Sequence, residues 1–196
     1  MTTIAIAIFE DVEELDWVGP WEVLRSWELR YPDDGARVSS VAEDAAVVTC
    51  AKGLRVLPDH TWEDAPAPID VLVYPGGQGT RRQLGDERIR SRLRSLAETG
   101  TLMTSVCTGS LVYADSGLLD DGPATTHWSS VDLLAGLGSR IEVRPDDRFV
   151  DRGAVITAAG VSAGIDMALH LIARLHSVER AREVRRYIQY DPEPPV

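Results

Sequence analysis

The stretch Leu102-Met-Thr-Ser-Val-Cys107-Thr-Gly109 decides how the rest of the chain is read. A short apolar run ends in a cysteine, and a small-residue, helix-compatible segment, Gly109-Ser-Leu-Val-Tyr-Ala-Asp115, follows at once. That order predicts a strand turning abruptly into a helix, with Cys107 on the turn. Such an elbow would expose the side chain at the carboxyl edge of a sheet. It would also set the sulfur beside unpaired helix N–H groups, which favour a thiolate and can lower a cysteine pKa from its free value of ~8.5. A small buried cysteine in a strand–helix unit carries the same signature, so the turn alone serves a nucleophile and a packed thiol equally well.

Working outward, residues 4–9 read as a buried first strand, and the segment after it leads into an amphipathic helix ending near Arg30. Asp16 therefore falls close to the carboxyl end of strand one, where a first-turn acid also suits the helix dipole. Residues 37–42 form a second strand, and 47–50 with 54–57 form a hairpin in which Cys50 is a packing residue. Residues 69–74 are a central strand, followed by the loop Pro75-Gly-Gly-Gln-Gly79 and a charged helix over 86–99. The loop lacks the Gly-Lys-Ser/Thr ending of a phosphate loop and the spacing of a dinucleotide fingerprint. It is either a tight turn or a place where Gly77 lets a backbone N–H face a reacting atom, as an oxyanion donor must.

After the elbow, residues 114–122 stop the helix and turn, and Ala124-Thr-Thr-His127-Trp128 precedes a short helix over 130–137. Strands over 142–144, 149–151 and 154–158 lead to an apolar helix over 160–176. A basic helix over 178–189 carries Arg180, Arg182, Arg185 and Arg186, read as a solvated face pairing with the acidic remainder, and a non-helical tail follows over 191–196. Strands alternating with helices predict an α/β fold, a doubly wound, mostly parallel sheet with helices on both faces and a crevice at the strands' carboxyl ends.

The 196 residues suit a single domain over 1–196. With 31 acidic against 20 basic side chains, the net charge of -11 argues against nucleic acid as a partner and for a small neutral substrate. The amino end lacks a basic region and a small-residue cleavage site, and no apolar run nears ~18 residues, so a cytoplasmic protein without membrane contact is expected. Two cysteines and four scattered histidines form neither a disulfide framework nor a zinc pattern. Chemistry at sulfur should then be nucleophilic or redox.

Asp16, Gly76-Gly77 and Cys107 all fall at strand carboxyl ends, which a doubly wound sheet can make neighbours. An acid beside the thiol could move a proton, and the N–H groups of Gly77 and Thr108 could stabilise developing negative charge. At this point the chain resembles the DJ/PfpI superfamily, with its flavodoxin-like, class I glutamine amidotransferase-like fold. The motifs are Leu15-Asp-Trp-Val-Gly-Pro-Trp-Glu-Val23, Val73-Tyr-Pro-Gly-Gly-Gln-Gly-Thr80, Ser105-Val-Cys-Thr-Gly-Ser110 and Ala124-Thr-Thr-His-Trp128. They are spread in order over nearly the whole chain.

Branches of that superfamily separate on details. Amidotransferases need a late His-x-Glu pair, and neither His170 nor His176 has an acid two residues on. PfpI-type peptidases carry histidine directly after the nucleophile, where this chain has Thr108. The Cys-Thr-Gly elbow with Asp16 and Ala-Thr-Thr-His-Trp resembles the isonitrile hydratase (isocyanide hydratase) branch. Sensor domains of AraC-type regulators share similar motifs, but a helix-turn-helix module of roughly a hundred residues is not expected beyond residue 196.

The resemblance implies a lyase that adds water to an isonitrile with no metal or organic cofactor. Cys107 would attack the terminal carbon, Asp16 would deliver a proton and later activate water, and the Cys107 thioimidate would release an N-substituted formamide. Thr108 and Gly77 would hold polar atoms of the adduct, and His127 would line the pocket or a dimer boundary, since a homodimer is implied. Trp17, Trp21 and Trp128 would supply apolar pocket walls, while Asp166 would serve the dipole of the apolar helix. Two other readings of the same thiol are a redox or stress-response protein and a glyoxalase- or deglycase-type enzyme.

Overall fold

The computed structural model describes residues 1–138 and 140–193. Pro194, Pro195 and Val196 of the expected tail lie outside the described residues, as does Ser139. In chain order the elements are β1 (Thr2–Ala7), α1 (Glu14–Arg30), β2 (Ala36–Ala42), β3 (Val48–Thr49), β4 (Arg55–Val56), β5 (His60–Thr61), β6 (Val71–Tyr74), α2 (Thr80–Gln83) and α3 (Glu87–Glu98). There follow β7 (Leu102–Val106), α4 (Gly109–Asp115), β8 (Gly122–Ala124), α5 (Val131–Leu137), β9 (Ile141–Val143), β10 (Phe149–Asp151), β11 (Val155–Ala158), α6 (Ala163–Leu175) and α7 (Val178–Tyr187). No helix among the described residues is long and apolar enough to cross a membrane.

Seven strands form one sheet in the order β10-β11-β7-β6-β1-β2-β5. Every pairing in it is parallel except the edge pair β10–β11. Successive strand side chains point to opposite faces, and here both faces are apolar. Ile4, Ile6, Val71 and Val73 pack on one side with Trp27 of α1, Met167 of α6 and Val184 of α7. Ala5, Ala7, Leu72 and Tyr74 pack on the other with Leu93 of α3, Leu111 of α4 and Leu134 of α5. The helices thus cover both faces, and the continuous apolar runs seen in the sequence are strands buried twice.

Most elements stand where periodicity placed them, and the differences have local causes. The hairpin forms as β3 and β4, paired Val48 with Val56. The third-last strand, expected over 142–144, is β9, which leaves the main sheet to pair with β8. Nothing in Gly122-Pro-Ala124 alternates, so β8 was illegible; β5 is a two-residue edge and equally silent. The apolar helix begins at Ala163 rather than Gly160, because Val161 takes a left-handed φ of 45°. The arginines of α7 behave unequally: Arg180 binds Asp34 at 2.6 Å and Arg185 meets Asp191 at 3.4 Å, while Arg182 and Arg186 make no ion pair among the described residues.

The turn after β6 and the elbow after β7 touch so closely that Gly109 has no room for a side chain. A Cβ there would collide with the Tyr74 carbonyl oxygen and lie 2.8 Å from that of Pro75. Both are backbone atoms and cannot rotate away. Gly109→Ala should therefore cost about 2–4 kcal/mol in urea unfolding, by overpacking. Gly136→Ala, in α5 with open space around it, should instead be neutral or stabilising by up to about 1 kcal/mol.

Candidate active site

Parallel order gathers the carboxyl ends of β1, β6, β7 and β11 along one sheet edge, and the loops that leave them build the site. Cys107 leaves β7 with a φ of 57°, a left-handed conformation that costs a non-glycine residue ~1–2 kcal/mol. Hydrogen bonds hold it there. Its N–H donates to the carbonyls of Ala158 (3.0 Å) and Ala159 (2.9 Å) at the end of β11. Its carbonyl accepts from Ser110 Oγ at 2.9 Å and Thr126 Oγ1 at 3.0 Å. The elbow is thus a real backbone feature, and Thr126 of the Ala-Thr-Thr-His-Trp segment is one of its fasteners.

Asp16 lies in the first turn of α1 and is fully buried. Oδ2 accepts the Gly76 N–H at 2.9 Å, while Oδ1 is buried without a well-aligned hydrogen bond. The polar group beside the carboxyl is the Cys107 thiol. Gly76 makes the approach possible: a Cβ there would lie 2.5 Å from Thr108 N and 2.8 Å from Asp16 Oδ2. Burial pushes the Asp16 carboxyl up to about 7, against the smaller opposing effect of the Gly76 N–H.

The expectation of an exposed, acidified thiol is overturned. Cys107 is only 6% exposed, and burial together with the neighbouring Asp16 charge pushes its pKa up to about 12. The N–H groups of Thr108 and Val161 pull it down, but by less than burial pushes it up. A thiol and a carboxyl so placed can share one proton and pass it between them. Val161 was missed in the sequence; its only signal was a small-residue turn, Ala159-Gly160, between a strand and a helix.

Gly77 and Thr108 play different parts from those expected. The Gly77 N–H is already donated to Thr108 Oγ1 at 3.0 Å, so it does not face a reacting atom. Glycine is required there because the loop between β1 and α1 passes so close that a Cβ would strike Asp11 O and Glu13 N. Thr108 Oγ1 also receives the Thr80 hydroxyl at 3.2 Å, which ties the elbow to α2. His127 Nδ1 accepts the Ser129 N–H at 3.3 Å, assigning the proton of a neutral ring to Nε2, and its ring lies against Gly160.

Gly77, Cys107, Thr108, His127 and Val161 share one cavity of about 150 Å³ with Glu13, Gln78 and Arg81. The expected tryptophan walls are absent from it. Trp17 faces the core beneath α1, Trp21 packs at its margin, and Trp128 points outward with 78% exposure. The lining is mixed instead, with polar side chains interspersed among apolar surface. Asp166 is away from the cavity and binds Arg148 at 2.6 Å. Among the described residues no cluster of three or more His, Cys, Asp or Glu side chains is placed to hold a metal ion.

Residues 2–174 match the DJ-1/PfpI family. Isonitrile hydratase of Pseudomonas putida is 42% identical over 192 residues, covering 98% of this chain and 80% of that protein. The HTH-type transcriptional regulator GbdR of Pseudomonas aeruginosa is 30% identical over 155 residues, which are 79% of this chain but 41% of the regulator. The crystal structure of a THiJ/PfpI family protein from Pseudomonas syringae aligns with a TM-score of 0.88 at 33% identity, over 100% of this chain and 77% of its own. With a parallel sheet, a left-handed cysteine elbow and a family match over nearly its whole length, the chain belongs to the DJ-1/PfpI family.

Proposed function

We propose that this protein is an isonitrile hydratase, converting R–N≡C and water into R–NH–CHO. The observation that carries the reading is the buried Asp16 carboxyl beside the Cys107 thiol, which itself lines a small cavity. The likeness to the Pseudomonas putida enzyme supports the choice of substrate. An isonitrile carbon needs both a nucleophile and a proton, and this pair supplies both without a free ion entering the pocket.

In the first step Asp16 takes the thiol proton as sulfur bonds to the terminal carbon, then gives that proton to the same carbon. The product is the thioimidate R–N=CH–S–Cys107. Asp16, again a carboxylate, removes a proton from water as its oxygen adds to the carbon, then passes that proton to the nitrogen. Collapse of R–NH–CH(OH)–S–Cys107 breaks the C–S bond and returns the thiol. The N–H groups of Thr108 and Val161, both directed at the sulfur, stabilise charge there as it forms. A redox-sensor role fits less well, because a buried thiol held protonated reacts slowly with peroxide.

Incubation with a small alkyl isonitrile should yield many equivalents of formamide per protein by mass spectrometry, and Cys107→Ala should yield none; activity surviving in that variant would end the proposal. The reactive pair carries one proton, so kcat/KM should rise with pH through an apparent pKa near 7 and then level, since the second ionisation lies near 12. In Asp16→Asn the limb near 7 should vanish and the rate fall by about 10²–10⁴.

The same carboxyl has a stability consequence. Its folded pKa near 7 lies above its unfolded value near 3.8, so the native state holds a proton that the unfolded chain has lost. Stability then falls as pH rises from about 4 to 7, by on the order of 4 kcal/mol at about 1.4 kcal/mol per pKa unit. Asp16→Asn should accordingly unfold at higher urea than wild type at pH 8, with the difference closing by pH 4.

A further inference from the structure

Besides Cys107, behind which Asp16 is buried, the cavity is lined by two charged side chains, Glu13 and Arg81. Glu13 is matched, because Lys52 of the β3–β4 hairpin forms an ion pair with it. Arg81 is not. From α2 its Nη1 donates to Gly77 O at 3.1 Å and Thr80 Oγ1 at 3.2 Å, and its Nη2 donates to Ser130 Oγ at 3.3 Å. All three acceptors are neutral. Among the described residues no carboxylate lies within ion-pair distance of Arg81, although the chain has 31 acids and the adjacent Arg82 binds Asp11 at 2.8 Å.

Three of the five guanidinium N–H donors are thereby used, and two remain. The bonds that use them run to the turn after β6, to α2 and to the segment after His127, and hold this solvent-exposed side chain at the cavity's rim. Of the lining side chains only Ala51 and Val161 are hydrocarbon, against Gln78 and His127, whose side-chain N–H groups can donate. A purely hydrocarbon isonitrile would leave these donors facing an apolar surface. A carboxylate would meet the unpaired cation with the planar, two-pronged geometry that guanidinium matches. At about 150 Å³ the space suits a short ligand of a few carbon atoms.

Building on the isonitrile reading, we propose that the substrate is a short isonitrile bearing a carboxylate, with Arg81 as the residue that selects it while Cys107 attacks the isonitrile carbon. The selection is a demanding one. A chain of net charge -11, part of which sits on the Asp16–Cys107 pair, repels anions unless a specific cation offsets it.

Two measurements separate this inference from the reaction it builds on. The first compares alkylation of Cys107 by iodoacetate and by iodoacetamide, followed on the Cys107 peptide by mass spectrometry, with glutathione as reference. The iodoacetate-to-iodoacetamide rate ratio should exceed that of glutathione by about tenfold or more, fall close to it in Arg81→Gln, and be largely kept in Arg81→Lys. A wild-type ratio at or below that of glutathione, or one unmoved by Arg81→Gln, would overturn the role of Arg81. The second compares 3-isocyanopropanoate with its methyl ester. Wild type should favour the acid by about 10- to 100-fold in kcat/KM, and Arg81→Gln should erase the acid-to-ester preference through KM. Equal use of acid and ester by wild type would overturn the proposal. Failure to turn over either compound would overturn the isonitrile reading and the substrate named here, while the alkylation ratio alone decides whether Arg81 recognises a carboxylate.

Discussion

The site depends on a backbone contact: the turn after β6 pressed against the elbow after β7. Gly76 and Gly109 mark the two sides of it, and neither position admits a Cβ. Because they meet so closely, the Gly76 N–H reaches Asp16 and the Thr108 hydroxyl reaches the Gly77 N–H. The left-handed Cys107 between them is held by carbonyls of the neighbouring strand end and by two hydroxyls. Strain of this kind persists only where the surroundings over-determine the backbone, and here four segments do so.

Burial then acts on chemistry. A carboxyl and a thiol enclosed together cannot both ionise, so the charged form of each is disfavoured and the pair retains one proton near neutral pH. The same desolvation that weakens the thiolate at rest makes the shared proton available for transfer within the pair. Folding free energy is given up to keep an acid in this position, as happens at many functional sites.

The helices around the sheet serve this arrangement at a distance. α1 delivers Asp16 from below the edge, and α2 brings Thr80 and Arg81 to its rim. The hairpin β3–β4 contributes Lys52, whose pairing with Glu13 leaves Arg81 as the unmatched charge at the cavity. Contacts spanning 30 to 60 residues of sequence separation, such as Gly77 with Thr108 and Gly76 with Asp16, define the local electrostatics.

The sequence by itself determined the parallel, doubly wound sheet and the cysteine elbow, because two-sided burial writes continuous apolar runs and a strand-to-helix turn demands small residues. It also brought Asp16, Gly76 and Cys107 to one sheet edge, since parallel strands share their carboxyl ends. Only the tertiary structure decided that the thiol is buried and pushed up rather than acidified, that the Gly77 N–H is already taken, that Val161 turns its N–H to the sulfur, and that the walls carry polar side chains rather than tryptophans, with Arg81 unpaired. Each of those depends on which distant groups surround an atom, and desolvation and hydrogen-bond occupancy are set by neighbours in space that no local pattern records.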